Sequence, residues 1–151
     1  VDEQIIDSLY RASKAGVKVE ILVRGMCSLK PGVKDLSENI TVRSILGRYL
    51  EHSRIFRFIN GGEPMVFIGS ADMMHRNLDR RVETLVRLRQ DDHHFEMQKL
   101  FELAMHPTAS CWQLGPDGIW HRNGPVSSES GLFDFQDQMM LKTLTARTGG
   151  Y

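Results

Sequence analysis

The feature that most constrains this chain is a β-prone run, Val17-Lys18-Val19-Glu20-Ile21-Leu22-Val23, which stops at Arg24-Gly25. Such a run reads as a strand buried on at least one face. The stretch before it, Asp2 to Ala15, puts Ile5, Leu9 and Ala12 at helical spacing with Ile6 beside them, and Gly16 stands where a helix stops. Amphipathic helix, short turn and apolar strand make half of an α/β unit. The polar residues from Ser28 to Ile40, with Pro31-Gly32 among them, then form a loop leaving the carboxyl end of that strand. In open α/β sheets ligands bind at that end, so function is expected where Arg24 sits.

Further along, short strands are expected at Thr41 to Ile45 and at Arg54 to Ile59. Asn60-Gly61-Gly62-Glu63-Pro64 is a turn signal, and Met65 to Gly69 is the returning strand of a hairpin. Ser70 to Arg81 reads as polar and irregular, and an apolar pattern resumes at Val82 to Leu88 as another strand. Asp91 or Asp92 is placed to cap a helix running through His94 to Ala104, which Pro107 ends. Trp112 to His121, around Pro116-Asp117-Gly118, marks a small β-turn unit, and Gln136 to Arg147 a last helix. No repeat or linker divides the sequence. The expectation is one α/β domain over residues 1–151, a mixed sheet flanked by helices, with a serine-rich loop from Val126 to Gly131.

At 151 residues and 41% hydrophobic content the chain can bury a core without metals or disulfides. Its two cysteines, Cys27 and Cys111, are too few for a disulfide scaffold and do not form a zinc pair, which fits a reducing compartment. No stretch approaches the roughly 20 apolar residues of a membrane helix. The opening Val-Asp-Glu-Gln fits neither a signal peptide nor a basic presequence, so a piece of a cytoplasmic protein is expected. Lys+Arg and Asp+Glu are 19 each, and global charge therefore predicts no polyanion partner. The distribution says more: from Arg43 to Arg89 all nine basic residues are arginine, against five acids. A guanidinium fork matches two phosphate oxygens at once, whereas an ammonium is a point charge.

Three places could carry chemistry. His52, followed by Arg54 in Glu51-His52-Ser53-Arg54, pairs an imidazole with a guanidinium at the start of a strand; the one can attack or protonate a phosphoryl group and the other can hold its charge. Arg24 closes an apolar strand beside Gly25, where a ligand can approach the backbone, and a structural salt bridge fits it equally. The segment Gly69-Ser70-Ala71-Asp72, with Asn77, Arg80 and Arg81, offers hydroxyl, amide and guanidinium donors directly after a strand. There is no Gly-rich phosphate loop with Lys-Ser/Thr, no dinucleotide glycine pattern and no HExxH.

The words themselves are those of a family. Val23-Arg24-Gly25, Leu29-Lys30-Pro31-Gly32-Val33, Leu50-Glu51-His52-Ser53-Arg54-Ile55, Ile68-Gly69-Ser70-Ala71-Asp72 and Arg76-Asn77-Leu78-Asp79-Arg80-Arg81-Val82-Glu83, in that order, closely resemble the last domain of the first polyphosphate kinase family. That resemblance implies a phospholipase D-like domain that forms half of an active site. ATP would phosphorylate a histidine of the preceding catalytic domain, and the phosphoryl group would pass reversibly to inorganic polyphosphate, with Mg2+ required and no ligand for it identified here. It implies that Arg24 and His52 contact the nucleotide phosphates and that His52 is an acid/base or charge-stabilising partner. Arg54, Ser70, Asp72, Asn77, Arg80 and Arg81 are carried over as supporting residues. ATP or ADP and polyphosphate are the implied partners, nucleic acid is not expected, and family members form homo-oligomers and can associate with membranes. The superfamily's His-x-Lys-x4-Asp pattern is incomplete, with Arg54 in the lysine place and Ile59 in the aspartate place; Met73 and His75 stand where tryptophan and proline are expected. A non-catalytic polyanion-binding module and a phospholipase D-like phosphodiesterase are the alternatives, and the missing aspartate disfavours the second.

Overall fold

A computed structural model of the chain describes residues 2–124 and 129–148. In chain order the helices are α1 (Glu3–Lys14), α2 (His75–Arg80), α3 (Asp91–Ala104) and α4 (Phe135–Thr148). The strands are β1 (Val19–Leu22), β2 (Ile40–Ser44), β3 (Ile55–Phe58), β4 (Met65–Gly69), β5 (Leu85–Leu88), β6 (Trp112–Leu114) and β7 (Trp120–Arg122). Val126 to Ser128 of the expected serine-rich loop lie outside the described residues.

Helix α1 forms where its periodicity predicts. Asp2 caps it by accepting the Ile5 N–H at 3.0 Å, Glu3 lies in the electropositive first turn, and Arg11 and Lys14 lie in the last. Gly16 then takes a φ of +83°, the left-handed conformation that ends a helix without Cβ strain. Buried Ser13 ties the helix to the strand entry: its hydroxyl accepts from the Asn39 N–H at 3.2 Å, and its carbonyl accepts from Asn39 Nδ2 at 2.9 Å.

Strand β1 pairs parallel with β2, Val19 opposite Ile40 and Leu22 opposite Arg43; β2 and β6, then β6 and β7, pair antiparallel. This mixed sheet, in order β1-β2-β6-β7, is covered on both faces. Val19, Ile21 and Val23 pack with Ile6, Leu9 and Tyr10 of α1 around buried Leu29, Ile40, Val42 and Leu114. Leu22, one residue out of phase, joins Ile45, Ala104, Cys111, Phe135 and Met139 beneath α3 and α4.

The α/β class holds, but the strands divide into two sheets. Strands β3, β4 and β5 form a separate antiparallel sheet, with Ile55 opposite Ile68 and Ile68 opposite Val86. Asn60, Gly61 and Gly62 all take positive φ in its first turn, as the Asn-Gly-Gly signal requires. Two other expectations are corrected. The segment from Ser70 to Arg81 is not irregular throughout, because His75 to Arg80 form α2. Gln90, not Asp91 or Asp92, is the N-cap residue of α3, and both acids lie inside its first turn, where the helix dipole favours them. No described helix is long and apolar enough to cross a membrane.

Candidate functional site

Four of the expected residues meet. Arg24 follows β1, His52 and Arg54 precede β3, and Asp72 follows β4. Asp72 is the centre: Arg24 Nη2 donates to Oδ1 and to Oδ2, each at 3.0 Å, Arg54 Nε donates to Oδ1 at 3.0 Å, and Arg54 Nη2 donates to Oδ2 at 3.4 Å. A carboxylate offers about four lone-pair sites, so this one is saturated. The hydrogen-bonded Arg54 guanidinium, with the charge of Arg24 behind it, outweighs burial and holds the Asp72 carboxyl below the usual carboxylate range. Arg54 Nη1 turns the other way, to His52 Nδ1 at 3.1 Å and to the His52 carbonyl at 3.3 Å. The His52 ring is on the exposed surface.

The loop that delivers His52 is held from the far end of the chain. Gln136 at the start of α4, 5% exposed, accepts from the Tyr49 N–H at 2.8 Å and donates to the Tyr49 carbonyl at 2.7 Å and to Glu51 Oε1 at 2.6 Å. A side chain at Gly47 would run into the same carboxamide. Only glycine lets the loop pass so close.

A second group gathers on Glu83. Ser70 Oγ donates to Glu83 Oε2, Asn77 Nδ2 donates to Oε1 at 2.9 Å, and Arg81 Nε lies 3.3 Å from Oε1. Ser70 Oγ in turn accepts from the Thr84 N–H at 2.9 Å. These hydrogen bonds, Ser70 first, and the charges of Arg81 and Arg54 hold Glu83 below the usual carboxylate range. Asn77 is buried, and its Oδ1 meets no donor among the described residues. Sequence reasoning had no place for Glu83 or Gln136 in the site. The signal for Glu83 was an acid two residues beyond Arg81, with Val82 between them.

The arginine-rich stretch resolves unevenly. Arg54 and Arg81 reach the two carboxylates, Arg57 binds Gln98 at 3.0 Å, Arg43 binds the His106 carbonyl at 2.9 Å, and Arg48 lies 5.7 Å from the Tyr49 ring centroid. Arg80, expected to support the site, is exposed at the end of α2 and, like Arg76, Arg87 and Arg89, has no partner among the described residues. Burial pushes the thiols of Cys27 and Cys111 up, away from the thiolate form.

Magnesium takes oxygen ligands in near-octahedral geometry. Asp72 has no lone pair left and Glu83 is engaged by three donors. The convergent ligand set among the described residues, Asp2, His75 and Asp79, has its ligand atoms within 4.8 Å of one another, yet it contains an imidazole whose Nδ1 already contacts Asp79. These residues do not fit a magnesium ion.

Fold and cluster together define a phospholipase D-like α/β domain with a guanidinium- and imidazole-lined face at the strand ends. Residues 1–132 match the family model described as polyphosphate kinase C-terminal domain 2. The chain is 54% identical over 140 residues to the polyphosphate kinase of Streptomyces coelicolor, covering 93% of this chain and 19% of that protein. It is 62% identical over 120 residues to that of Mycobacterium avium, covering 80% and 16%. The crystal structure of polyphosphate kinase from Porphyromonas gingivalis superposes with a TM-score of 0.86 at 33% identity, covering 99% of this chain and 22% of that one. This chain belongs to the polyphosphate kinase C-terminal domain family, and it spans about a fifth of the length of these relatives.

Proposed function

We propose that this chain is one wall of a phosphotransferase active site, within a longer enzyme that moves the terminal phosphoryl group of ATP reversibly onto inorganic polyphosphate. The observation that carries the reading is the convergence of Arg24 and Arg54 on the Asp72 carboxylate, with His52 held by Arg54, at an open surface. Two guanidiniums and one carboxylate leave a net positive charge there, and Arg24 keeps Nε and Nη1 uncommitted among the described residues. Phosphoryl transfer depends mainly on positioning and charge stabilisation, which such a wall supplies.

The reaction divides between two histidines. A histidine of the preceding catalytic domain takes the phosphoryl group as the bond from the γ-phosphorus to the bridging oxygen breaks and ADP leaves. The terminal oxygen of polyphosphate then displaces that histidine from phosphorus. Arg24 and His52 hold the phosphate oxygens through both steps, and neither is the nucleophile. Two hollows among the described residues lie on α4, one of them against α3, and contain none of the cluster. Large apolar residues are bare on the loops beside it, Met26 86%, Leu46 69% and Leu50 71% exposed. An open polar face rimmed by bare apolar side chains is what half of a site presents when another domain covers it.

The test is radiolabel transfer from ATP into acid-insoluble polyphosphate by the full-length enzyme. Arg24→Ala and His52→Ala are each expected to collapse transfer while the enzyme stays folded. Transfer near the parent rate in both variants would make this domain a scaffold.

A further inference from the structure

We infer that Asp72 is a positioning residue that acts through Arg54 to fix the proton of His52 on Nε2. The inference rests on the phosphate-site reading above and deepens it. A guanidinium has five N–H donors and no acceptor, so a contact of 3.1 Å between Arg54 Nη1 and His52 Nδ1 makes Nδ1 the acceptor. The neutral ring then carries its hydrogen on Nε2, the nitrogen opposite the Arg54 contact.

What aims Arg54 is Asp72. It grips the guanidinium side-on, through Nε to Oδ1 and Nη2 to Oδ2, and this grip leaves Nη1 as the group that reaches the imidazole and its own carbonyl. Arg54 is 17% exposed at its side chain, so it has little freedom to take another pose. The same carboxylate accepts both contacts from Arg24 Nη2, so a single acid spaces the two guanidiniums and sets the tautomer of the imidazole. A sequence separation of 48 residues on one side and 18 on the other collapses onto two oxygen atoms.

The chemical consequence is a division of labour. An imidazole with hydrogen on Nε2 donates a hydrogen bond to a phosphoryl oxygen; it has no lone pair at that nitrogen with which to attack phosphorus. Attack through Nδ1 would require the Arg54 bond to be given up. His52 is therefore held as a donor, and the arrangement keeps the phosphoryl group on the other histidine.

Two measurements test this. The His52 ring nitrogens of this chain, observed by 15N NMR above the imidazole titration, are expected to show a single tautomer with Nδ1 pyridine-like and Nε2 protonated, and Asp72→Asn to convert it to a mixture. In the full-length enzyme Asp72→Asn is expected to lower kcat for polyphosphate synthesis by about 10- to 100-fold, the scale of a misplacement near 1 Å, and Asp72→Glu to restore part of it. A parent spectrum with Nδ1 protonated overturns the inference without any variant, as does Asp72→Asn at the parent kcat. His52→Ala in the same assay separates the two levels: if it retains parent kcat, the phosphate-site reading fails, whereas if it collapses while Asp72→Asn does not, only the positioning role fails.

Discussion

Replacing Gln136 by alanine should loosen the loop that carries His52, although Gln136 touches no part of the cluster. The carboxamide makes three hydrogen bonds to that loop, two to the Tyr49 backbone and one to Glu51, at 2.6 to 2.8 Å. Net values run about 0.5–1.5 kcal/mol each, and water can reach the half-exposed Tyr49 once the amide is gone, so the lower half of the range applies. Three such bonds plus the void beside Gly47 give an expected loss of about 2–3 kcal/mol. For a domain of this size that is a fall in Tm of about 4–12 °C, read by circular dichroism against urea unfolding of the parent. Gln136→Glu sharpens the test, since it replaces the donor to Glu51 with a second carboxylate and is expected to be at least as destabilising. Both variants should lower transfer by the full-length enzyme through the position of His52. A loss below about 0.5 kcal/mol with transfer unchanged would show that the loop holds itself and that Gln136 is incidental.

Other outcomes follow from the same contacts. Asp72 has a depressed carboxyl in the folded chain, so its stabilisation is present above the ordinary carboxylate value and is lost as pH falls through the lower folded value; the slope of unfolding free energy with pH below about 4 should flatten in Asp72→Asn, measured by urea unfolding at stepped pH. Glu83 works in the same direction and Glu83→Gln should flatten the same window. Val42, fully buried in the central strand, should lose about 2–3 kcal/mol on Val42→Ala with no effect beyond stability on the cluster, checked by the urea midpoint.

Much of the fold was legible because local chemistry decided it. The helix with its Asp2 cap and Gly16 stop, the strand ending in Arg24 and the Asn-Gly-Gly hairpin each depend on residues within a few positions of one another. Helix α2 was not legible, because His75-Arg76-Asn77-Leu78-Asp79-Arg80 has no apolar stripe and buries only the polar Asn77. The division into two sheets was hidden for a different reason: it hangs on β2 pairing with β6, across some 70 residues, which no periodicity reports. Within the site, His52 and Arg54 could be read as a pair because they are two residues apart. That Asp72 joins Arg54 to Arg24 could not, since its neighbours Ala71 and Met73 say nothing about which cations it meets. The arginine count overstated the site, as it recorded charge without partners: most of those side chains go to Gln98, a backbone carbonyl, an aromatic ring or solvent.

The measurement that bears most directly on the phosphate wall is a titration of this chain with tripolyphosphate, following the Arg24 Nε–H and the His52 ring by 15N NMR at low and at moderate salt. The account predicts saturable shifts at both groups with weak, about millimolar, affinity that falls as salt rises, while Arg57 and Arg43, tied to protein partners, stay still. Shifts confined to Arg76, Arg80, Arg87 and Arg89, with Arg24 and His52 unmoved, would contradict it and move phosphate recognition to the outer arginines.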